Sequence, residues 1–142
     1  MEEFIRMLDS AFVNVLKIVV AGLCGGLIGL EREKDQKPAG IRTQMLVAIG
    51  SAMFMVVSLS VGSDFRVDPS RIAAQVVTGI GFLGAGAIIR ERGSVRGMTT
   101  AASIWVVAAI GLTIGAGLFL EGVVITMLTY LILGWLHRQI EG

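Results

Sequence analysis

The sequence predicts an all-α, polytopic membrane helix bundle, and three observations carry that prediction. The 142 residues are 54% hydrophobic and 16% charged, against roughly 45–50% apolar and about 25% charged in soluble domains. The apolar residues fall into five runs of membrane length, separated by short polar or glycine-rich connectors. Most of the 19 glycines lie inside those runs. Glycine weakens a helix in water, whereas in a bilayer it lets helix backbones approach closely.

The first run spans residues 11–30. It follows an acidic start (Glu2, Glu3, Asp9) that lacks the basic region of a signal peptide, so the segment is expected to be retained. Lys17 is its one charge, close enough to the start to snorkel. Gly22, Gly25, Gly26 and Gly29 make two overlapping GxxxG patterns that mark a helix-packing face. A charged turn follows, Glu31 to Lys37, closed by Pro38-Ala39-Gly40. The second run, 41–61, opens on Arg42, Thr43 and Gln44, and a polar loop 62–70 leads to the third, 71–89. That run carries Gln75, Thr78 and the cluster Gly79, Gly81, Gly84 and Gly86. A basic connector, Arg90 to Arg96, precedes the fourth run, 98–114, which opens on Thr99-Thr100 and holds Gly111. Gly115-Ala116-Gly117 makes a tight turn into the fifth run, 118–136. Runs of about 17–21 residues can cross a hydrocarbon core of about 30 Å at 1.5 Å per residue. The whole of 1–142 is therefore expected to be a single transmembrane domain.

Several function classes fall away. A lone cysteine, Cys24, allows no internal disulfide and reads as a small packing residue. The single His137 offers no metal or triad constellation, and no Ser/His/Asp, HExxH or Walker A pattern is present, so an enzyme is not expected. Gly79, Gly81 and Gly84 fit GxGxxG, but without the strand and acidic partner that a dinucleotide site needs. Nothing points to nucleic acid, and the bilayer itself is the first partner.

Charge distribution sets an expected orientation. Eight basic residues (Arg32, Lys34, Lys37, Arg42, Arg90, Arg92, Arg96, Arg138) lie on one side and four (Arg6, Lys17, Arg66, Arg71) on the other. The positive-inside rule puts the eight, with the C-terminus, in the cytoplasm and the N-terminus outside. The stretches 26–50 and 84–111 also read alike: Glu31-Arg32 answers Glu91-Arg92, and the Gly40–Thr43 tetrad answers Gly97–Thr100. A parallel repeat of two helical hairpins plus one helix follows as an architectural expectation.

The candidate chemistry sits at the ends of these hairpins. Glu31, Glu33 and Asp35 crowd three carboxylates into five residues, a set of oxygen ligands that permits a hard cation such as Mg²⁺ without specifying one. Glu31 with Arg92, and Arg32 with Glu91, would neutralise one another if the hairpins pack together. Thr43 or Thr99 could cap a helix, or help its positive end attract an anion. Gln75 and Thr78, about one turn apart, would face protein or a water-filled cavity.

Taken together, GLIGLERE (26–33), AGIRTQMLVAIGSAMF (39–54), RIAAQVVTGIGFLGAGAII (71–89) and VRGMTTAASIWVVAAIGL (95–112) resemble the MgtC/SapB family of bacterial inner-membrane proteins. The resemblance covers most of 22–117. It implies five transmembrane helices, an inner-membrane location and a link to magnesium limitation and stress adaptation. It also implies that some members act on other membrane proteins, ATP synthase among them. Virulence-type members carry an additional soluble C-terminal domain outside the resemblance, and roles that depend on it are not carried over. Two functions stay open: a non-enzymatic regulator whose glycine-rich faces bind itself or other membrane proteins, and a small transporter or channel for Mg²⁺ or another ion. No cofactor is assigned beyond that candidate ion.

Overall fold

A computed structural model describes residues 1–65, 68, 70–91 and 93–136. Its helices are α1 (Glu2–Lys34), α2 (Ile41–Phe65), α3 (Ser70–Gly86), α4 (Met98–Gly115) and α5 (Phe119–Leu131), the last continued by a π-helical turn, Ile132–Leu136. Strands β1 (Ile89–Glu91) and β2 (Ser94–Arg96) form an antiparallel hairpin between α3 and α4. Helix α4 is central and touches all four other helices. Stretches of α1, α2 and α4 (Ile5–Lys34, Ile41–Gly62, Met98–Gly115) are long and apolar enough to cross a membrane, while α3 is 17 residues and α5 13. The chain is a membrane-type all-α bundle. Its outward faces carry large apolar side chains such as Leu46, Phe82 and Leu120, which acyl chains solvate and water would not.

Several boundaries differ from those the sequence predicts. Helix α1 starts at Glu2 and continues through Lys34, so Glu31-Arg32 sit on a helix and not in a turn. Nothing in 30–34 breaks a helix, and Arg32 and Lys34 in its last turn complement the dipole. It ends where Gln36 takes a left-handed backbone (φ 52°). Gln36 N–H then donates to Glu33 O (3.1 Å) and Lys37 N–H to Arg32 O (2.9 Å), the paired bonds of a Schellman end. Helix α2 runs on to Phe65, shortening the expected 62–70 loop. Helix α3 stops at Gly86, before the expected end at Ile89, because Ile89–Glu91 pair with Ser94–Arg96 in the hairpin. Gly93 (φ 91°) supplies the left-handed backbone that its tight turn needs.

Neither threonine expected to cap a helix does so. The residue preceding α4 is Gly97 (φ 86°), with no side-chain cap; a β-carbon there would collide with the Ala87 carbonyl. At α2 the cap comes from outside the helix: the Ile41 N–H donates to Glu33 Oε2 at 3.1 Å. Helix α3 is capped by Asp68, whose Oδ1 accepts from Ser70 N–H (2.9 Å) and Ser70 Oγ–H (2.7 Å).

The helices pack through their glycines. On α1, an added β-carbon at Gly25 would lie 2.5 Å from Gln44 O and 2.8 Å from Ala48 Cβ, and one at Gly29 would lie 2.5 Å from Ile41 Cα. Gly22 faces Ile49 and Gly26 faces Met45, so α1 and α2 run antiparallel in close contact. On the other side of α2, Gly111 of α4 abuts the Ala48 carbonyl and Ser51 Cβ, and Gly115 abuts the Ala52 carbonyl. Helices α2 and α4 are therefore parallel neighbours, and Ala48, fully buried, lies between two glycine notches. Ile28, Val107, Ile110 and Ile114 fill the rest of this core, while Ile80 of α3 packs with Ile104 and Ala108 of α4.

Two outcomes follow. Gly111→Leu must displace the α2 backbone and not a pliable side chain, so its cost should be at least the roughly 1–3 kcal/mol of an overpacked core, read by reversible unfolding in mixed micelles. The hydrogen bonds from Ser70 hold the Asp68 carboxyl below the usual carboxylate range. The cap is then complete above the unfolded-state pKa and is lost as pH falls through the lower folded value. Ser70→Ala should move the Asp68 titration upward, which carbonyl-carbon NMR can follow.

Candidate functional site

The packing that buries Ala48 also carries polar side chains into the bundle. On α1, Ala21, Gly25, Ile28 and Arg32 recur at three- or four-residue spacing along one buried face. On α2 the face is Gln44, Ala48, Ser51 and Ala52; on α4 it is Thr100, Ser103, Ile104, Val107 and Gly111. Because α1 runs against the other two helices, Arg32, Gln44, Thr100 and Ser103 meet at one end of the bundle.

The resulting cluster is closed by three hydrogen bonds. Arg32 Nη2 donates to Thr100 Oγ1 at 2.9 Å, Gln44 Nε2 donates to Ser103 Oγ at 3.0 Å, and Ser103 Oγ donates to Thr100 O at 2.8 Å. Arg32 is 5% exposed and Gln44 fully buried. Among the described residues Arg32 Nε and Gln44 Oε1 have no hydrogen-bond partner. A buried polar network with one open donor and one open acceptor has room in its chemistry for a group that does both, such as water. Glu31, 2% exposed, is turned toward α5: a β-carbon at Gly134, in the π-helical turn, would stand 2.5 Å from its Oε1.

The expected site residues separate. Arg32 donates to the Thr100 hydroxyl on α4, while its expected pairing with Glu91, like that of Glu31 with Arg92, falls on side chains outside the described residues. Glu31, Glu33 and Asp35 do not converge. Residues two apart on a helix point about 200° apart, and Glu31 is buried while Glu33 is exposed and caps α2. Among the described residues no group of three His, Cys, Asp or Glu side chains could hold a metal ion. Arg42, Thr43 and Thr99 are exposed, and Thr100 alone of the three threonines at these helix starts is buried. Gln44, Ser103 and Ser51 were not singled out as site residues from the sequence. Their seven- and three-residue offsets from small buried positions were the available signal.

A second feature lies between α2 and α3. An apolar groove of about 480 Å³ is lined by Val47, Gly50, Ser51, Gln75, Gly79 and Leu83, among others. It meets a second pocket of about 470 Å³, bounded by Thr43, Val47, Leu83, Gly86 and Ile104, through the shared Val47 and Leu83. From Ile72 to Ala87 the combined groove follows α3 for about 22 Å at 1.5 Å per residue. Gly50, Gly79 and Gly86 line it, and a β-carbon at any of the three would touch nothing within 4 Å. Gly81 is equally open, and Gly84 alone of the α3 cluster is in contact, 3.7 Å from Ala101. Gln75 and Thr78 are exposed, the latter bonded to Ala74 O at 3.4 Å.

The model of the MgtC family matches residues 18–141. The chain is 45% identical over 130 residues to the putative magnesium transporter YhiD of Escherichia coli, an alignment covering 87% of this chain and 60% of that protein. It is 48% identical over 128 residues to protein MgtC of Salmonella typhimurium, covering 90% and 52% respectively. An uncharacterized protein of Synechocystis, slr0014, is 45% identical over 115 residues, covering 81% and 48%. The chain thus spans about half to three-fifths of the length of these relatives. No solved structure matches it significantly.

Replacing Thr100 by valine removes the hydroxyl acceptor of a buried guanidinium. The expected loss is about 1.5–3 kcal/mol of stability, with Thr100→Ser recovering most of it, measured by the same unfolding equilibrium.

Proposed function

The chain belongs to the MgtC family, and we propose that it serves magnesium homeostasis as a non-enzymatic regulator of other membrane proteins. One observation carries the reading: the glycines of this chain divide by use. Gly22, Gly25, Gly26, Gly29, Gly111 and Gly115 are consumed by contacts among α1, α2 and α4, whereas Gly50, Gly79 and Gly86 face the α2–α3 groove with nothing against them. Glycine in a membrane helix is useful where a backbone must come close, and among the described residues no backbone does so here. A helix of a partner membrane protein, or of a second copy, fits that need. The end bearing Arg32, Lys34, Lys37 and the β-hairpin is read as cytoplasmic, in the inner membrane, from the excess of basic residues there.

Transport of Mg²⁺ or another ion is the second reading, favoured by one feature of α2. Gln44, Ser51 and Ser58 recur at seven-residue spacing, all buried, and set a polar group at each of three levels about 10 Å apart. The name of the Escherichia coli relative, a putative magnesium transporter, points the same way. Against it, the charge at the inner end of this track is the Arg32 guanidinium, which repels a divalent cation unless Glu31 offsets it.

Gly79→Leu separates the two. Its β-carbon would meet nothing within 4 Å and its side chain enters the open groove, so folding should be unchanged. Under the regulator reading this variant fails to support growth of a host lacking its own relative in magnesium-poor medium, and the wild-type protein moves no Mg²⁺ into dye-loaded proteoliposomes. Saturable Mg²⁺ uptake by the wild type, abolished in Ser51→Leu, would establish the transporter instead.

A further inference from the structure

We propose that the helix received by the α2–α3 groove presents a hydrogen-bonding side chain, of the Asn, Gln, Ser or Thr type, to Ser51 and Gln75. The inference rests on the groove reading above and specifies its partner. Ser51 is 3% exposed and lines the groove. A helical hydroxyl in an apolar setting ordinarily bonds the carbonyl one turn earlier, and this chain shows the habit repeatedly. Ser60 bonds Val56 O, Thr113 bonds Ala109 O, Thr126 bonds Gly122 O and Thr129 bonds Ile125 O, all at 2.7–3.0 Å. Ser51 makes no such bond: among the described residues its hydroxyl has no hydrogen-bond partner. Of the three polar residues spaced along the buried face of α2, Gln44 bonds Ser103 and Ser58 is engaged. Ser51 alone opens onto the groove.

Gln75 stands on the opposite wall of the same groove, with two donors and an acceptor that no described residue satisfies. The other side chains that line the groove, among them Val47, Phe54, Ile72, Val76 and Ile80, are apolar. An acyl chain filling the groove would leave both polar groups unmet in hydrocarbon, at a cost a membrane protein ordinarily avoids. A transmembrane helix with one polar side chain at this level satisfies them. Gly50 adjoins Ser51 in sequence and Gly79 lies one turn beyond Gln75, so close backbone approach is permitted where the hydrogen bond would form.

The test uses the purified full chain in lipid vesicles, labelled at its N-terminus, and two synthetic transmembrane peptides with a fluorescent acceptor. The peptides are identical Leu/Ala helices except for a central Asn in one and Leu in the other. Energy transfer should report three- to tenfold tighter association of the Asn peptide, the range expected for one interhelical polar contact. Ser51→Ala and, independently, Gln75→Leu should remove that preference, and Gly79→Leu should block both peptides. Equal binding of the two peptides, indifferent to Ser51→Ala and Gln75→Leu but still blocked by Gly79→Leu, would overturn the polar contact and leave the groove as a helix site. Failure of both peptides to bind, or binding that ignores Gly79→Leu, would overturn the groove reading and this inference with it.

Discussion

The structure depends on one close approach, the seating of Ala48 between Gly25 and Gly111. A helix flanked on both sides by backbone, with only a methyl group to separate them, is possible because neither neighbour has a side chain at the point of contact. In lipid no hydrophobic effect draws apolar helices together, so dispersion contact at short range must supply the cohesion. That requirement explains why α1 and α4 spend their glycines on α2. It also explains why α2, held from two sides, keeps its third face for α3 and the groove.

The same tight packing makes the polar cluster possible. Arg32, Gln44, Thr100 and Ser103 lie on the continuation of the faces that carry Gly25, Ala48 and Gly111, and short interhelical distances let their side chains reach one another directly. A guanidinium buried to this extent needs acceptors, and the Thr100 hydroxyl supplies one while Nε is left for another group. Glu33, one residue further along α1, does different work: it leaves the bundle and caps α2. The charged run after Leu30 is thus divided by helical geometry into an inward pair, Glu31 and Arg32, and outward residues that finish the connection.

Helix α3 is held differently. It touches α4 through Ile80, Gly84 and their partners near Ala101 and Ile104, but leaves space along α2. Its glycines resemble those of α1 in sequence and differ from them in use. The apparent repeat of 26–50 and 84–111 therefore joins two hairpins with unlike connectors, a Schellman end with a side-chain cap in the first and a β-hairpin in the second.

Composition and hydropathy determined by themselves that this chain is an apolar helix bundle, because a bilayer demands satisfied backbone and apolar surface from every helix that enters it. The spacing of Gly22, Gly25, Gly26 and Gly29 equally announced a packing face. Which glycines would be filled by this chain and which left open was not legible, since Gly79 and Gly25 sit in similar surroundings in sequence and differ only in what another helix brings to them. Glu31, Glu33 and Asp35 looked like one cluster for the same reason: sequence proximity does not say whether the backbone is a turn or a continuing helix, and the helix scatters them. Gln44 and Ser103, 59 residues apart, became a pair only when α2 and α4 were laid parallel. The tertiary structure decided the site because a hydrogen bond depends on distance in space, and glycine-mediated packing sets that distance.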